Sequence, residues 1–261
     1  MSIMAAADGT ISSVETTMIR SLASAIPELE EAELTTLIQN ATVAIRSAAD
    51  HPEWVRKKAF VLGVEVVTRG NEAAYVDGDA NLRGIGMLQR CLSLPDTFTN
   101  AALSVVGYKY VGGEVDASVL ETLVDAMLYV ATASRTSIAR LRRVANILEM
   151  VPQLGGREIM SLFHVPRLIA GKPLPMFDKS GTNMLAERLA KLPKDQQHVI
   201  DKTFVLAYEA AIALGMDPKT AAALSSVEQA LELSTNDLAK AARETWSAKY
   251  ASAPWTGFGP G

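Results

Sequence analysis

The chain has 261 residues, 49% of them apolar and 6% aromatic, with a formal net charge of -4. That length buries a sizeable core, as one large domain or two small ones, and the apolar share excludes a disordered chain. With 25 Lys and Arg against 29 Asp and Glu and no basic face standing out, the sequence carries no footprint for nucleic acid.

Ala and Leu dominate the apolar set. Helices accept both at little cost, whereas sheets favour β-branched and aromatic residues, so composition leans towards an all-α fold. No apolar run approaches the roughly 18 residues of a membrane span. Met1-Ser2-Ile3-Met4-Ala5 has no basic n-region. A cytoplasmic or intracellular setting is expected.

Apolar residues recur at three- and four-residue steps nearly throughout. Ser12 or Ser13 caps a first helix through Val14, Met18, Ile19, Leu22 and Ile26, stopped by Pro27. Residues 31–49 read as a second helix. Asp50 caps a third, with Pro52 in its first turn, which runs through Trp54, Phe60, Val64 and Val67 to Gly70. Further helices are expected over about 79–94, 96–111, 117–150 with a break near Ser134, 157–163, 181–192, 196–214, 219–231 and 235–250. Residues 164–177 hold Pro166, Pro173 and Pro175 and read as a crossover or linker. The tail, 251–261, reads as an extended arm. No segment reads as a strand.

Cys91 lies in the helical pattern Met87, Leu88, Cys91, Leu92 and reads as a small core residue. The basic run of Arg135, Arg140, Arg142 and Arg143 reads as a solvated helix face, or a patch for an acidic partner. His51, His164 and His198 have no metal-ligand spacing. Gly84-Ile85-Gly86 sits inside a helix and reads as room for close helix packing. There is no Walker or dinucleotide glycine pattern and no nucleophile elbow. No two carboxylates are paired by the sequence as acid and base, so a non-enzymatic protein is expected.

One stretch recurs. Residues 55–65 (VRKKAFVLGVE) and 199–209 (VIDKTFVLAYE) share Val, Lys, Phe, Val, Leu and Glu at six of eleven positions. Each opens a helix and leads through a turn into another, ending Arg90-Cys-Leu-Ser-Leu94 and Ala230-Leu-Glu-Leu-Ser234. Upstream, Met18-Ile19, Leu22 and Ile26-Pro27 line up with Arg143-Val144, Ile147 and Val151-Pro152. Residues 1–112 and 113–250 therefore read as two copies of one helical unit.

Candidate ligands for a hard cation lie in two turns of the first copy. Asp8-Gly9 precedes a helix that carries Glu15 in its first turn, where a carboxylate faces the positive helix end. Asp77-Gly78-Asp79 places oxygens at alternate positions, as an EF-hand loop begins, but Leu82 and Leu88 stand where that loop needs glycine and glutamate. The pattern Ala7-Asp8-Gly9-Thr10-Ile11-Ser12-x-x-Glu15, followed by Val76-Asp77-Gly78 and a helix ending Leu92-Ser-Leu94, resembles the TerB-like tellurite-resistance family. The resemblance covers about residues 3–100, with a degenerate second copy in 128–238.

The resemblance implies an all-α helical bundle of two related units whose Asp–Gly turns form an acidic, metal-binding patch of Asp8, Glu15, Asp77 and Asp79. This chain departs from the pattern. The helix before the first turn is cut short, and Gly84 stands where the second turn has glutamate. In the second copy Ala133-Ser134-Arg135 replaces one acidic turn and Asp217-Pro218 is what remains of the other.

Two functions are expected. One is an assembly or interaction protein, a scaffold kept for its surfaces, within a multi-copy structure such as a virion. Its protein partners or further copies would be met by helix faces and by Trp255 and Phe258 on the glycine- and proline-rich tail. The other is a TerB-like stress protein that binds a divalent cation; no other cofactor is expected.

Overall fold

The computed structural model describes residues 49–70, 79–110, 115–134, 138–148, 151, 179–233 and 236–250. Every regular element among them is a helix: α1 (Glu53–Gly70), α2 (Asp79–Cys91), α3 (Asp96–Tyr110), α4 (Ala117–Thr132), α5 (Ile138–Leu148), α6 (Lys179–Ala190), α7 (Gln197–Ala213), α8 (Pro218–Ala230) and α9 (Asn236–Tyr250). The fold is all-α, as the Ala- and Leu-rich composition predicts. No helix among the described residues is long and apolar enough to cross a membrane. The helices expected at 12–26, 31–49 and 157–163, the crossover at 164–177 and the tail at 251–261 lie outside the described residues.

Helix ends follow local chemistry. The Pro52 carbonyl accepts from the amides of Val55 and Arg56 at 3.0 and 3.2 Å and so starts α1. Asp217 caps α8: its Oδ1 accepts from the amides of Lys219 and Thr220, each at 3.0 Å, with Pro218 at the first helical position. The helix expected to run to Leu94 instead stops at Cys91, because Ser93 takes a left-handed φ of 47°. The Ser93 amide then bonds the Arg90 carbonyl and the Leu94 amide bonds the Gln89 carbonyl, the two bonds of a Schellman motif. Arg56 of α1 completes this end, donating through Nη1 to the carbonyls of Leu92 and Ser93 at 2.7 and 3.0 Å.

The chain divides into two compact units, Met1–Gly107 with Arg243–Gly261, and Tyr108–Ala242. The sequence suggests contiguous units meeting at 112/113. In the structure, residues 243–250 of α9 belong with the first unit, and the last turn of α3 belongs with the second. In unit 1, α1 packs on α2, and the rings of Phe60 and Phe98 lie 6.3 Å apart. Phe60, Val61, Val64, Phe98, Val105 and Trp246 are fully or almost fully buried there.

In unit 2, α4 and α7 pack side by side, with α5 and α8 against both and α6 against α4 and α8. The core joins Leu123, Met127 and Leu128 of α4 to Val144 and Leu148 of α5 and Leu206 of α7. Every residue of α7 from Val199 to Ala211 is buried. Such a helix has no solvent face on which to place a charge.

Helices of 18, 13 and 15 residues (α1, α2, α3) match in order helices of 17, 13 and 15 residues (α7, α8, α9). A left-handed residue follows each of α2 and α8, Ser93 at φ 47° and Glu232 at φ 51°, and a buried leucine precedes each, Leu92 and Leu231.

Two further expectations change. Cys91 is half-buried and not a core residue. Among the described residues an added Cβ at Gly86 would meet only the Arg90 Nη1, at 3.9 Å, so packing against those residues does not require that glycine.

Candidate functional site: paired charges inside the helical units

Asp201, Lys202, Thr203 and Glu209 all lie on the buried helix α7. A buried charge is costly unless it is paired and hydrogen-bonded, so each must be answered locally. Thr203 Oγ1 donates back to the Val199 carbonyl at 2.8 Å, and Asp201 Oδ1 accepts from Gln197 Nε2 at 2.9 Å. Glu209, 0% exposed, meets Lys109 from the last turn of α3: Nζ lies 3.1 Å from Oε1 and 2.9 Å from Oε2, with the lysine also at 0% exposure. That Nζ sits 5.6 Å from the centre of the Tyr110 ring, whose electron-rich face favours a cation. Burial pushes the Lys202 ammonium down to about 8.

Unit 1 contains a matching pair. Glu65 of α1, 0% exposed, accepts from Lys249 Nζ at 2.8 Å on Oε1. Lys249 belongs to the last turn of α9, and its Nζ lies 5.1 and 5.2 Å from the centres of the Trp246 and Tyr250 rings. Glu65 and Glu209 are the shared glutamates of the recurring segment. Each is the thirteenth residue of its helix, and each lysine is the fourteenth residue of its own, followed by tyrosine.

A third feature lies in unit 2. Arg140, expected on a solvated face, is buried, while Arg142 and Arg143 are exposed. Its Nη1 donates to the Ala131 carbonyl at 2.9 Å and its Nη2 to the Leu214 carbonyl at 3.5 Å. The guanidinium thus sits at the C-terminal, negative ends of α4 and α7, where a cation is favoured. Asp217 Oδ2 lies 3.7 Å from Nη2. The Thr220 amide foremost, then the hydroxyls of Ser134 and Thr220 and the Lys219 amide, hold the Asp217 carboxyl below its usual range, with burial opposing them. Asp217 thus meets both the Ser134 hydroxyl and the Arg140 guanidinium. Asp125, also buried, is paired with Arg188 of α6.

Of the expected cation ligands, Asp79 is the first residue of α2, and Asp8, Glu15 and Asp77 lie outside the described residues, as do the expected partner residues Trp255 and Phe258. Among the described residues no three His, Cys, Asp or Glu side chains are grouped to hold a metal ion. His51 is exposed and His198 partly buried on α7. No family model, curated protein or solved structure matches the chain.

Sequence reasoning missed both lysine–glutamate pairs, whose members stand 184 and 100 residues apart. The signal available was the Lys-Tyr dipeptide at 109–110 and again at 249–250, set beside the recurring glutamate.

The pairing has a measurable consequence. Lys109→Met removes the ammonium paired with the buried Glu209 carboxylate and should cost about 3–5 kcal/mol in urea unfolding. The double variant Lys109→Met/Glu209→Met should recover most of that loss, and equal stability of single and double variants would refute the pairing argument. Lys202 behaves oppositely. Its folded-state affinity for protons is lower than in the unfolded chain, so its charged form opposes folding below pH 8 and the opposition fades as pH rises from about 8 to 10.5. The stability of Lys202→Met relative to wild type should be greatest below pH 8, by up to roughly 3 kcal/mol over its value above pH 10.5. The advantage should shrink above pH 8; a pH-independent difference would contradict the account.

Proposed function

We propose that the chain is a non-enzymatic assembly protein, two related helical halves of TerB-like type joined into a scaffold that works through its surfaces as a component of a larger particle such as a virion. The observation that carries this reading is the use made of buried charge. Glu65, Glu209, Lys109, Lys249 and Arg140 sit inside the units against opposite partners or carbonyl ends, where they hold helices and meet little or no solvent. Each lysine–glutamate pair also joins a residue of the first sequence half to one of the second. The surface offers apolar contacts in Leu82 and Met87 on α2 and Met184 on α6, at 58%, 39% and 60% exposure. The aromatic arm at Trp255 and Phe258 adds a second means of attachment to a neighbouring copy. Light scattering on the purified chain should give an integral multiple of one chain's mass, and removing residues 252–261 should lower it. A single-chain mass at every concentration would refute the assembly reading.

A second reading is a TerB-like cation-binding stress protein. It is supported by the meeting of Ser134 with Asp217 around the Arg140 guanidinium in unit 2. If the halves are related, the corresponding turns of the first half bring Asp8, Glu15, Asp77 and Asp79 together without an internal cation. Calorimetry with Ca²⁺, Mg²⁺ and Zn²⁺ separately should then show binding that Asp8→Asn/Asp77→Asn abolishes. Heat that is absent, or unchanged in the variant, would count against it.

A further inference from the structure

Among the described residues three large apolar side chains stand exposed: Leu82 and Met87 on α2, and Met184 on α6. On α2 they belong to a patterned face. Residues 83, 86, 87 and 90 follow at steps of three and four, the spacing of the four residues that frame a hole for a knob from a facing helix. Arg83, Met87 and Arg90 are exposed, Gly86 is half-exposed, and the exposed Leu82 stands one turn before Gly86. The glycine leaves one corner of the hole open, since among the described residues a Cβ added there would meet only the Arg90 Nη1, at 3.9 Å. A hole with an open corner admits a long side chain, and the two arginines give it a basic rim.

We infer an interaction surface for a second copy of this chain: the exposed face of α2 receives Met184 of α6 from another molecule, with Arg83 meeting Glu187. The inference rests on the assembly reading and names its contact. Charge complementarity selects the occupant. Met184, Glu187 and Lys191 follow at steps of three and four along α6 and the turn after it, and all three are exposed. Seat Met184 between Gly86 and Met87 with the helices antiparallel. Glu187 then lies about 4.5 Å along the axis from the seat, and Arg83 stands about 5 Å along it in the same direction. Further on, Lys191 comes level with Asp79, which opens α2 one turn before Arg83. Both couples are opposite in sign. A parallel arrangement offers Glu187 the Arg90 guanidinium but carries Lys191 beyond the end of α2, so the charges favour the antiparallel one. Such rim charges set partner and register, while the seated methionine supplies the apolar burial. The two faces differ, so the contact runs head to tail and each molecule still offers one face of each kind. Repetition of such a contact builds a ring or a filament.

Light scattering on full-length variants reads the contact. R83E/R90E and E187R each set like charges against one another and should give the mass of one chain at concentrations where the wild type assembles. The triple variant R83E/R90E/E187R restores opposite signs at every contact and should regain the wild-type mass. Gly86→Gln fills the open corner. It should unfold at no lower a temperature than the wild type and yet fail to assemble. All the reversed side chains are exposed, so circular dichroism and the unfolding temperature should stay near the wild-type values and separate lost contact from lost fold. A wild-type oligomer whose mass these variants leave unchanged overturns the contact while leaving the assembly reading intact. Loss of assembly that the triple variant does not restore also overturns it. A wild-type chain of single mass at every concentration overturns the inference together with the assembly reading.

Discussion

Charge taken out of water has to be answered where it lies, and that requirement organises both units. Glu65 and Glu209 sit on helices that also bury their own Phe60, Val61 and Val64 in one case and Phe204, Val205 and Leu206 in the other. Left alone there, a carboxylate would either be driven to protonate or destabilise the helix. The lysines that answer them arrive from the ends of α9 and α3, and to arrive they must bury their own ammonium groups, which they do beside aromatic rings. A pair of this kind adds little net stability over an apolar replacement, because both ions were desolvated to make it. Its contribution is to favour a lysine-bearing helix end beside each glutamate over an end that brings no ammonium.

The same logic explains Arg140. Helices α4 and α7 bring two sets of C-terminal carbonyls close together, and the last turn of a helix has no internal donors for them. A guanidinium supplies several donors in a fixed plane and keeps its charge at any accessible pH. It bonds Ala131 and Leu214 and stands near the Asp217 carboxylate, which itself caps α8. One side chain thus ties together three helix termini of unit 2. Arg56 does a related task in unit 1 by closing the end of α2. In both places arginine does what a bound cation or a glycine cap does elsewhere, and it does so within the covalent chain.

Helix positions were largely legible because the signals are local. Pro52, Asp217-Pro218 and the three- to four-residue apolar steps mark starts and faces without reference to the rest of the chain. Where local reading slipped, a tertiary or conformational choice intervened. The end of α2 falls at Cys91 because Ser93 adopts a left-handed conformation, stabilised by Arg56 from another helix, and serine carries no sequence signal for that. Arg140 resembles a solvated residue among Arg135, Arg142 and Arg143, since a run of like residues does not reveal which one faces the helix ends. The recurring segment was visible, with its shared Glu65 and Glu209, but the partners of those glutamates were not.

The sequence alone determined an all-α protein, most boundaries of the described helices to within a few residues, and the recurrence of a segment that carries Glu65 and Glu209. Those are consequences of periodicity and capping, which act over a few residues. Tertiary structure alone decided which lysine meets which glutamate, and with it that residues 243–250 belong with the first unit while the last turn of α3 belongs with the second. Both lysines have the same neighbour and the same place in a helix, so no local property distinguishes them. Only the path of the chain through space selects Lys249 for Glu65 and Lys109 for Glu209.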